Sequence, residues 1–206
     1  HMEEAGFKAY LVGGCVRDLI LDRVPKDWDI ATDATPEKIQ KLFPESVYEN
    51  KFGTVGVKTD SEDPALKIIE VTTFRREGKY TDKRHPDDIT FAKTIEEDLS
   101  RRDFTVNAIA LSIALGTTRE LVDPYGGQDD LKKQVIRTVG KPEDRFREDA
   151  LRLMRAVRFA VELDFQIDLD TRRAIEKLAG ELEMIAKERI RDELIKIIMA
   201  PRAAQG

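Results

Sequence analysis

The chain has 206 residues and a net charge of −5, with 41% apolar and 36% charged side chains. Apolar runs recur along its whole length, so it reads as one large or two small packed domains rather than a disordered chain, and bulk charge excludes a polycation. No run approaches the ~20 apolar residues of a membrane span, and no signal peptide is visible.

A lone cysteine, Cys15, excludes an internal disulfide and fits a reducing compartment, with the cytoplasm as the expectation. One Cys and two His make a zinc site a poor reading. Cys15 sits between Gly14 and Val16 at a helix start and reads as a small packed residue rather than a nucleophile. His1-Met2 looks like the remnant of a cleaved tag. Residues 141–206 hold 14 basic and 14 acidic side chains, and the first 140 hold 21 and 26. Any nucleic-acid contact must therefore come from a local patch.

In chain order, Phe7–Val12 is a short strand ending in Gly13-Gly14, followed by a helical stretch over Val16–Leu21. Trp28–Ala31 reads as a second strand. Thr35-Pro36 starts a helix, with Thr as N-cap and Pro at the first position, and the helix ends near Phe43-Pro44. Strands follow over Ser46–Asn50, Thr54–Lys58 and Leu66–Phe74, with a turn at Phe52-Gly53. Residues 75–88 are polar and charged and read as a long loop, of a length that is usually functional or disordered. Ile89–Ala92 is strand-like again, and helical periodicity covers 94–113. Asp123–Gly127 is a turn. Beyond a boundary at 136–142, apolar residues recur at helical spacing (Phe146, Ala150, Leu153, Val157, Val161), which predicts three or four helices over 143–200.

Four blocks carry chemistry. The first is Gly13-Gly14 between a strand and a helix, with Arg17 one turn on. Glycines there let a ligand approach the backbone, and with Arg17 they would cradle phosphate, although most such turns are only turns. The second is Asp27-Trp28-Asp29. On a strand, residues i and i+2 share a face, and two carboxylates so placed suit a hard cation such as Mg²⁺; the plainer reading is a charged strand end. The third is Arg101-Arg102-Asp103-Phe104-Thr105-Val106-Asn107-Ala108, where Asp103 can cap a helix and the arginines can be merely solvated. The fourth is Glu148-Asp149-Ala150-Leu151-Arg152, continuing to Arg155 and Arg158. On one helix Asp149 and Arg152 are i,i+3 neighbours, and a surface ion-pair ladder is the plain alternative.

Together and in this order, the blocks resemble the class II nucleotidyltransferases: the tRNA CCA-adding enzymes and the bacterial poly(A) polymerases. GGCVRD, DWD, RRDFTVNA, DPYGGQDDL (123–131), EDALRLMRAVRFA (148–160) and KERIRDELIKII (187–198) are each similar to a signature of that family. The resemblance runs from about residue 8 to 204. It implies an α+β fold: a catalytic head with a nucleotidyltransferase-type mixed sheet over 1–139, then an all-helical neck over 140–206, with the family's body and tail absent from this chain.

The resemblance also implies roles. Asp27 and Asp29 would be catalytic and hold Mg²⁺, with Glu70 on KIIEVTTF as a possible third carboxylate. Gly13, Gly14, Arg17, Arg102, Asp103 and Asn107 would bind the nucleotide's phosphates and sugar, Asp149 and Arg152 its base edge, and Arg155 and Arg158 would complete the pocket. The expected activity is template-independent addition of C and A, or of the terminal A alone, to the 3′ end of tRNA from CTP and ATP, with no membrane involved. A full-length loop carrying Lys83, Arg84 and Asp87 favours an enzyme able to add A, and Glu49–Val55 looks like the tRNA branch. A poly(A) polymerase and an inactive nucleotide- or RNA-binding module are the alternatives, the latter opposed by the presence of both Asp27 and Asp29. Oligomeric state stays open.

Overall fold

A computed structural model of the chain describes residues 1–48, 53–78, 89–113 and 120–205. The chain forms two compact units. The first comprises His1–Arg76, Ile89–Arg101 and Asn107–Tyr125; the second comprises Arg102–Val106 and the chain from Gly126 onward. The second unit thus begins before the 139/140 boundary of the sequence reading. Among the described residues, no helix is long and apolar enough to cross a membrane.

The first unit is built on a seven-stranded sheet. Its strands are β1 (Ala9–Val12), β2 (Asp29–Thr32), β3 (Ser46–Tyr48), β4 (Thr54–Lys58), β5 (Ile68–Thr73), β8 (Ala110–Ser112) and β9 (Leu121–Val122), in the order β3-β4-β5-β2-β1-β8-β9. Two further short strands, β6 (Arg75–Glu77) and β7 (Ile89–Phe91), lie outside it. β2 and β5 run parallel, and every other pairing in the sheet is antiparallel. The parallel pair needs a crossover, which α2 (Pro36–Leu42) and the β3–β4 hairpin supply. Ile39 of α2, Val55 and Val71 of the sheet, Ala9 and Ala34 form the core of this face, and Phe7, Ile30 and Leu42 pack against it. Met2 is buried in the same cluster, so this residue, read as a tag remnant, serves the core. The sheet's opposite face carries Asp29, Glu70, Thr72 and Thr54, because alternation sends residues next to core positions outward.

Two short helices belong to the first unit besides α2. α1 (Gly14–Ile20) starts directly after Gly13, and α3 (Ile95–Leu99) is capped by Thr94, whose hydroxyl accepts from the Glu97 N–H. The helical reading of 94–113 is overturned beyond Leu99: Ala110–Ser112 is a strand paired with β1. Ile109 and Ala110 are fully buried, and a short run that is apolar on every side has no period to distinguish helix from strand. Thr35 and Pro36 do start α2, but the Thr35 side chain makes no capping bond.

In the second unit, α4 (Gly127–Lys133) and β10 (Val135–Ile136) precede four helices: α5 (Pro142–Glu148), α6 (Leu151–Leu163), α7 (Leu169–Leu178) and α8 (Lys187–Ile198). A two-residue strand, β11 (Gln166–Ile167), pairs in parallel with β10. α6 packs on α8, and α5 packs on α7. Leu153, Ala156 and Phe159 line the inner side of α6, and Phe104 meets Phe159 edge-to-face at 5.6 Å between ring centroids. Asp168 caps α7 by accepting from the Asp170 and Thr171 N–H groups.

Gly13 adopts φ 77°, ψ −134°, a region open to glycine and strained for any residue with a Cβ. Gly13→Ala is expected to destabilise the protein by about 1–3 kcal/mol. Urea unfolding checks this, with a lowered midpoint at unchanged slope as the expected result.

Candidate functional site

The first unit presents a corner built from the turn between β1 and α1. Gly14 opens α1, and a Cβ placed on it would lie 3.7 Å from Arg17 Nη2 and 4.0 Å from Asp27 Oδ1. The space left by the missing side chain therefore faces a guanidinium and a carboxylate together. Arg17 is held rather than mobile: Nε donates to Asp18 Oδ1 at 2.8 Å and Nη1 to Asn107 Oδ1 at 2.9 Å. Gly14, Arg17, Asp27 and Asn107, four of the residues named from sequence, are thus brought together. Cys15 is 1% exposed, its thiol donates to the Val12 carbonyl, and burial pushes it above the usual thiol range. It is packing, as expected.

The carboxylates are arranged differently from the sequence argument. β2 begins at Asp29, so Asp27 stands in the bend before it, and the two do not share a face of one strand. The partner of Asp29 comes from elsewhere. In the parallel register Asp29 lies opposite Glu70 of β5, with the Glu70 N–H donating to the Trp28 carbonyl at 3.3 Å. Neighbours in register point to one face, so the Asp29 and Glu70 side chains project side by side. Among the described residues, no three His, Cys, Asp or Glu side chains gather as a metal-binding group. The donor set nevertheless suits a hard cation: the ligands on offer are all carboxylate oxygens.

In the second unit, Asp103 is buried at 8% exposure. Its Oδ1 accepts from the Phe104 N–H at 2.9 Å, and its Oδ2 takes Arg155 Nε at 2.8 Å and Nη2 at 2.6 Å. Burial by itself would raise this carboxyl, but Arg155 and then Arg152 beside it outweigh burial and hold it below the usual range. Asp103 and Arg155, both named from sequence as nucleotide ligands, are here committed to each other. The backbone around Asp103 is pinned as well. Phe104 bridges to Thr138, Thr105 N–H donates to the Arg137 carbonyl, and Val139 N–H donates to the Asp103 carbonyl. Thr105 Oγ1 donates to the buried Asp130 at 2.7 Å, and Arg137 binds Asp130 and Asp168.

Asp149 and Arg152 do not stand at i,i+3 on one helix. Asp149 ends α5 in extended backbone, φ −143°, ψ 105°, and α6 starts at Leu151. Asp149 accepts from the Leu151 N–H at 3.0 Å. Arg152 is held by Glu148 at 2.5 Å and by the Arg145 carbonyl at 3.2 Å, and Glu148 also pairs with Arg145. Arg158 faces Glu162 at 3.1 Å and Glu193 at 2.7 Å, and its guanidinium lies 4.2 Å from the Phe159 ring centroid. The Arg158 Nε–Glu193 Oε2 approach lacks hydrogen-bond geometry, so it is a charge contact alone. Arg158 is therefore tied into α6 and α8. Arg102 is half-buried next to Asp103. Lys83, Arg84 and Asp87, and residues 49–52 of the branch-indicating segment, lie outside the described residues.

The motifs read from the sequence give Glu148, Arg145, Arg189 and Glu193 no role of their own. The first two were legible, since i,i+3 and i,i+4 spacing brings Arg145, Glu148 and Arg152 into reach. The last two sit on α8, in the family-like segment 187–198, and no local pattern announces the partners they hold.

A mixed sheet that sets carboxylates and an anchored arginine beside a Gly-Gly turn is a nucleotidyltransferase head. The chain belongs to the poly(A) polymerase head-domain family, whose model matches residues 9–137. A second model, described as a probable RNA- and SrmB-binding site of polymerase A, matches residues 164–206. Among similar proteins, the CCA-adding enzyme of Lactobacillus helveticus is 46% identical over 206 residues, covering 100% of this chain and 49% of the relative. That of Geobacillus thermodenitrificans is 47% identical over 202 residues, covering 98% and 48%. The crystal structure of the Bacillus stearothermophilus CCA-adding enzyme in complex with CTP matches with a TM-score of 0.86 at 44% identity, over 99% of this chain and 47% of that one. A tRNA nucleotidyltransferase complexed with a primer tRNA and an incoming ATP analog matches with a TM-score of 0.78 at 30% identity, over 98% and 56%. The chain spans about half the length of the relatives it matches.

Removing Asp103 would strand Arg155, whose side chain keeps 32% of its surface in water, so Asp103→Ala is expected to cost about 2–4 kcal/mol, less than a fully buried pair. Because the folded carboxyl titrates below its unfolded value, the pair's contribution is complete above the ordinary aspartate range and is lost as pH falls through the depressed value. The stability gap between the parent and Asp103→Asn, measured by urea unfolding, should be constant near neutrality and narrow below about pH 4.

Proposed function

We propose that this chain carries the nucleotide-transfer part of a tRNA nucleotidyltransferase that adds C and A to the 3′ end of tRNA from CTP and ATP, releasing pyrophosphate. The observation that carries the reading is the corner at Gly14, where one vacant side-chain position faces both Arg17 and Asp27. The likeness of nearly the whole chain to a CCA-adding enzyme solved with CTP supports it.

In this reading, Gly14 leaves room for the triphosphate, and Arg17, oriented by Asp18 and Asn107, donates to its oxygens. Asp27 and Asp29, with Glu70 alongside, would hold Mg²⁺, which neutralises triphosphate charge and raises the nucleophilicity of the RNA 3′-hydroxyl. Arg102 serves the sugar and phosphates. Asp149 accepts from the exocyclic amine of the base, and Arg152, fixed by Glu148, donates to a ring nitrogen or carbonyl. The cytosine N4 and adenine N6 amines occupy matching positions where uracil and guanine carry a carbonyl oxygen, so CTP and ATP are selected over UTP and GTP. Arg155 and Arg158 act one step removed, by fixing α6 through Asp103 and Glu193. One buried cysteine without a disulfide agrees with work in the cytoplasm.

The test is incubation with tRNA lacking CCA, ending in C, or ending in CC, each with CTP and ATP in Mg²⁺. Extension of all three supports complete CCA addition, extension of the CC-ended tRNA alone supports A addition, and no extension of any overturns the reading. Asp27→Ala and Asp29→Ala should each lower incorporation by more than about a hundredfold while circular dichroism stays that of the parent. Near-parental turnover by either variant would remove that residue from the metal site.

A further inference from the structure

We infer that Arg189, in the first turn of α8, is the positioning residue that sets the carboxylate plane of Asp149 and thereby the nucleotide choice. The inference rests on the reading of Asp149 as the acceptor for the base's exocyclic amine. The motifs read from the sequence give Arg189 no role. Its side chain reaches Asp149 in a two-point fork: Nη1 to Oδ1 at 3.2 Å and Nη2 to Oδ2 at 2.8 Å. Both side chains are mostly withdrawn from water, at 24% and 15% exposure.

The need for such a partner follows from where Asp149 sits. It occupies the break between α5 and α6 in extended backbone, so neither helix fixes its side chain. One local bond, from the Leu151 N–H to Oδ1, leaves the carboxylate free to rotate. Hydrogen-bond acceptance is directional, so a rotating carboxylate would read a base edge poorly. The guanidinium fork is planar and rigid, and binding both oxygens fixes the plane. A carboxylate offers about four lone-pair sites. Among the described residues, Arg189 takes two and Leu151 one, leaving a single site, which suits one donor such as one N–H of an amine.

α8 is itself held in place to do this. One turn beyond Arg189, Glu193 is buried at 4% exposure and stands 2.7 Å from Arg158 of α6. The i,i+4 pair Arg189 and Glu193 thus ties α8 to the α5–α6 break and to the middle of α6, with opposite charge signs. A shift of α8 relative to these two points would lengthen both contacts.

The test measures the affinity of the chain for CTP, UTP, ATP, GTP and inorganic triphosphate by calorimetry in Mg²⁺, for the parent, Arg189→Gln, Arg189→Lys, Asp149→Asn and the Arg189→Gln/Asp149→Asn double variant. Arg189→Gln is expected to lower the preference for CTP over UTP about tenfold, the worth of one charge-assisted hydrogen bond, and to leave inorganic triphosphate affinity unchanged. Arg189→Lys, a point charge without the fork, should recover part of the preference. The double variant should discriminate no worse than Asp149→Asn alone, because the two residues act as one unit. Unchanged preference in Arg189→Gln with lost preference in Asp149→Asn overturns the inference and leaves the base reading standing. Unchanged preference in Asp149→Asn, or a parent that does not distinguish CTP from UTP, overturns the base reading itself and the inference with it. Parallel loss of inorganic triphosphate and nucleotide affinity shows general damage and overturns the positioning role. Should Arg189→Gln lose its helical circular dichroism, Arg189→Lys decides, and parental discrimination by that variant overturns the inference.

Discussion

Asp103 is a charged group in a place where charge is costly. Taking an isolated carboxylate out of water costs several kcal/mol, and the fold tolerates this one because three donors converge on it: the Phe104 N–H and two nitrogens of Arg155. The result is a fixed point in the second unit. The Arg102–Val106 segment is tied to Arg137–Val139 by backbone bonds, and through Arg155 the same segment is tied to α6. Phe104 against Phe159 fills the space beneath the pair. An apolar pair of the same volume could match its stability. The Asp103–Arg155 pair joins the Arg102–Val106 segment to α6, the helix that also carries Arg152.

From α6 the order extends by further ion pairs. Glu148 steadies Arg152, Glu193 of α8 faces Arg158, and Arg189 grips Asp149. These contacts are mostly shielded from water, unlike the exposed Arg172–Glu176 and Arg173–Asp170 pairs of α7, which add little. A helical unit with balanced charge thus uses several of its arginines, Arg152, Arg155, Arg158 and Arg189, inwardly, as struts.

The first unit obeys a different constraint, the parallel register of β2 and β5. A slip of one residue would turn Glu70 into the core and Val71 out to solvent, so burial of Ile30, Val71 and Val55 enforces the placement of Asp29 beside Glu70. The Gly13 turn then brings Arg17 and the open position at Gly14 toward Asp27. Packing of apolar side chains on one face sets the geometry of charged ones on the other.

The sequence by itself determined the local features: a Gly-Gly turn between strand and helix, carboxylates at the edge of a strand, a helix start at Thr35-Pro36, and amphipathic helices from residue 143 onward. Each is written in backbone preference or in a period of two or 3.6 residues, which neighbours in the chain can express. Tertiary structure decided what has no local period. Ala110–Ser112 became a strand because β1 offered it an edge, although its own pattern read as helix. Asp29 found Glu70 across two strands, Arg155 found Asp103 from 52 residues away, and Arg189 found Asp149 from 40. A charge finds its partner by where folding places it. Spacing in the chain carries no record of that beyond about one helical turn; Asp29, Glu70, Asp103, Asp149 and Arg155 could be named from sequence and Arg189 was not, while the partner each one holds was decided by the packing of the elements that bear them.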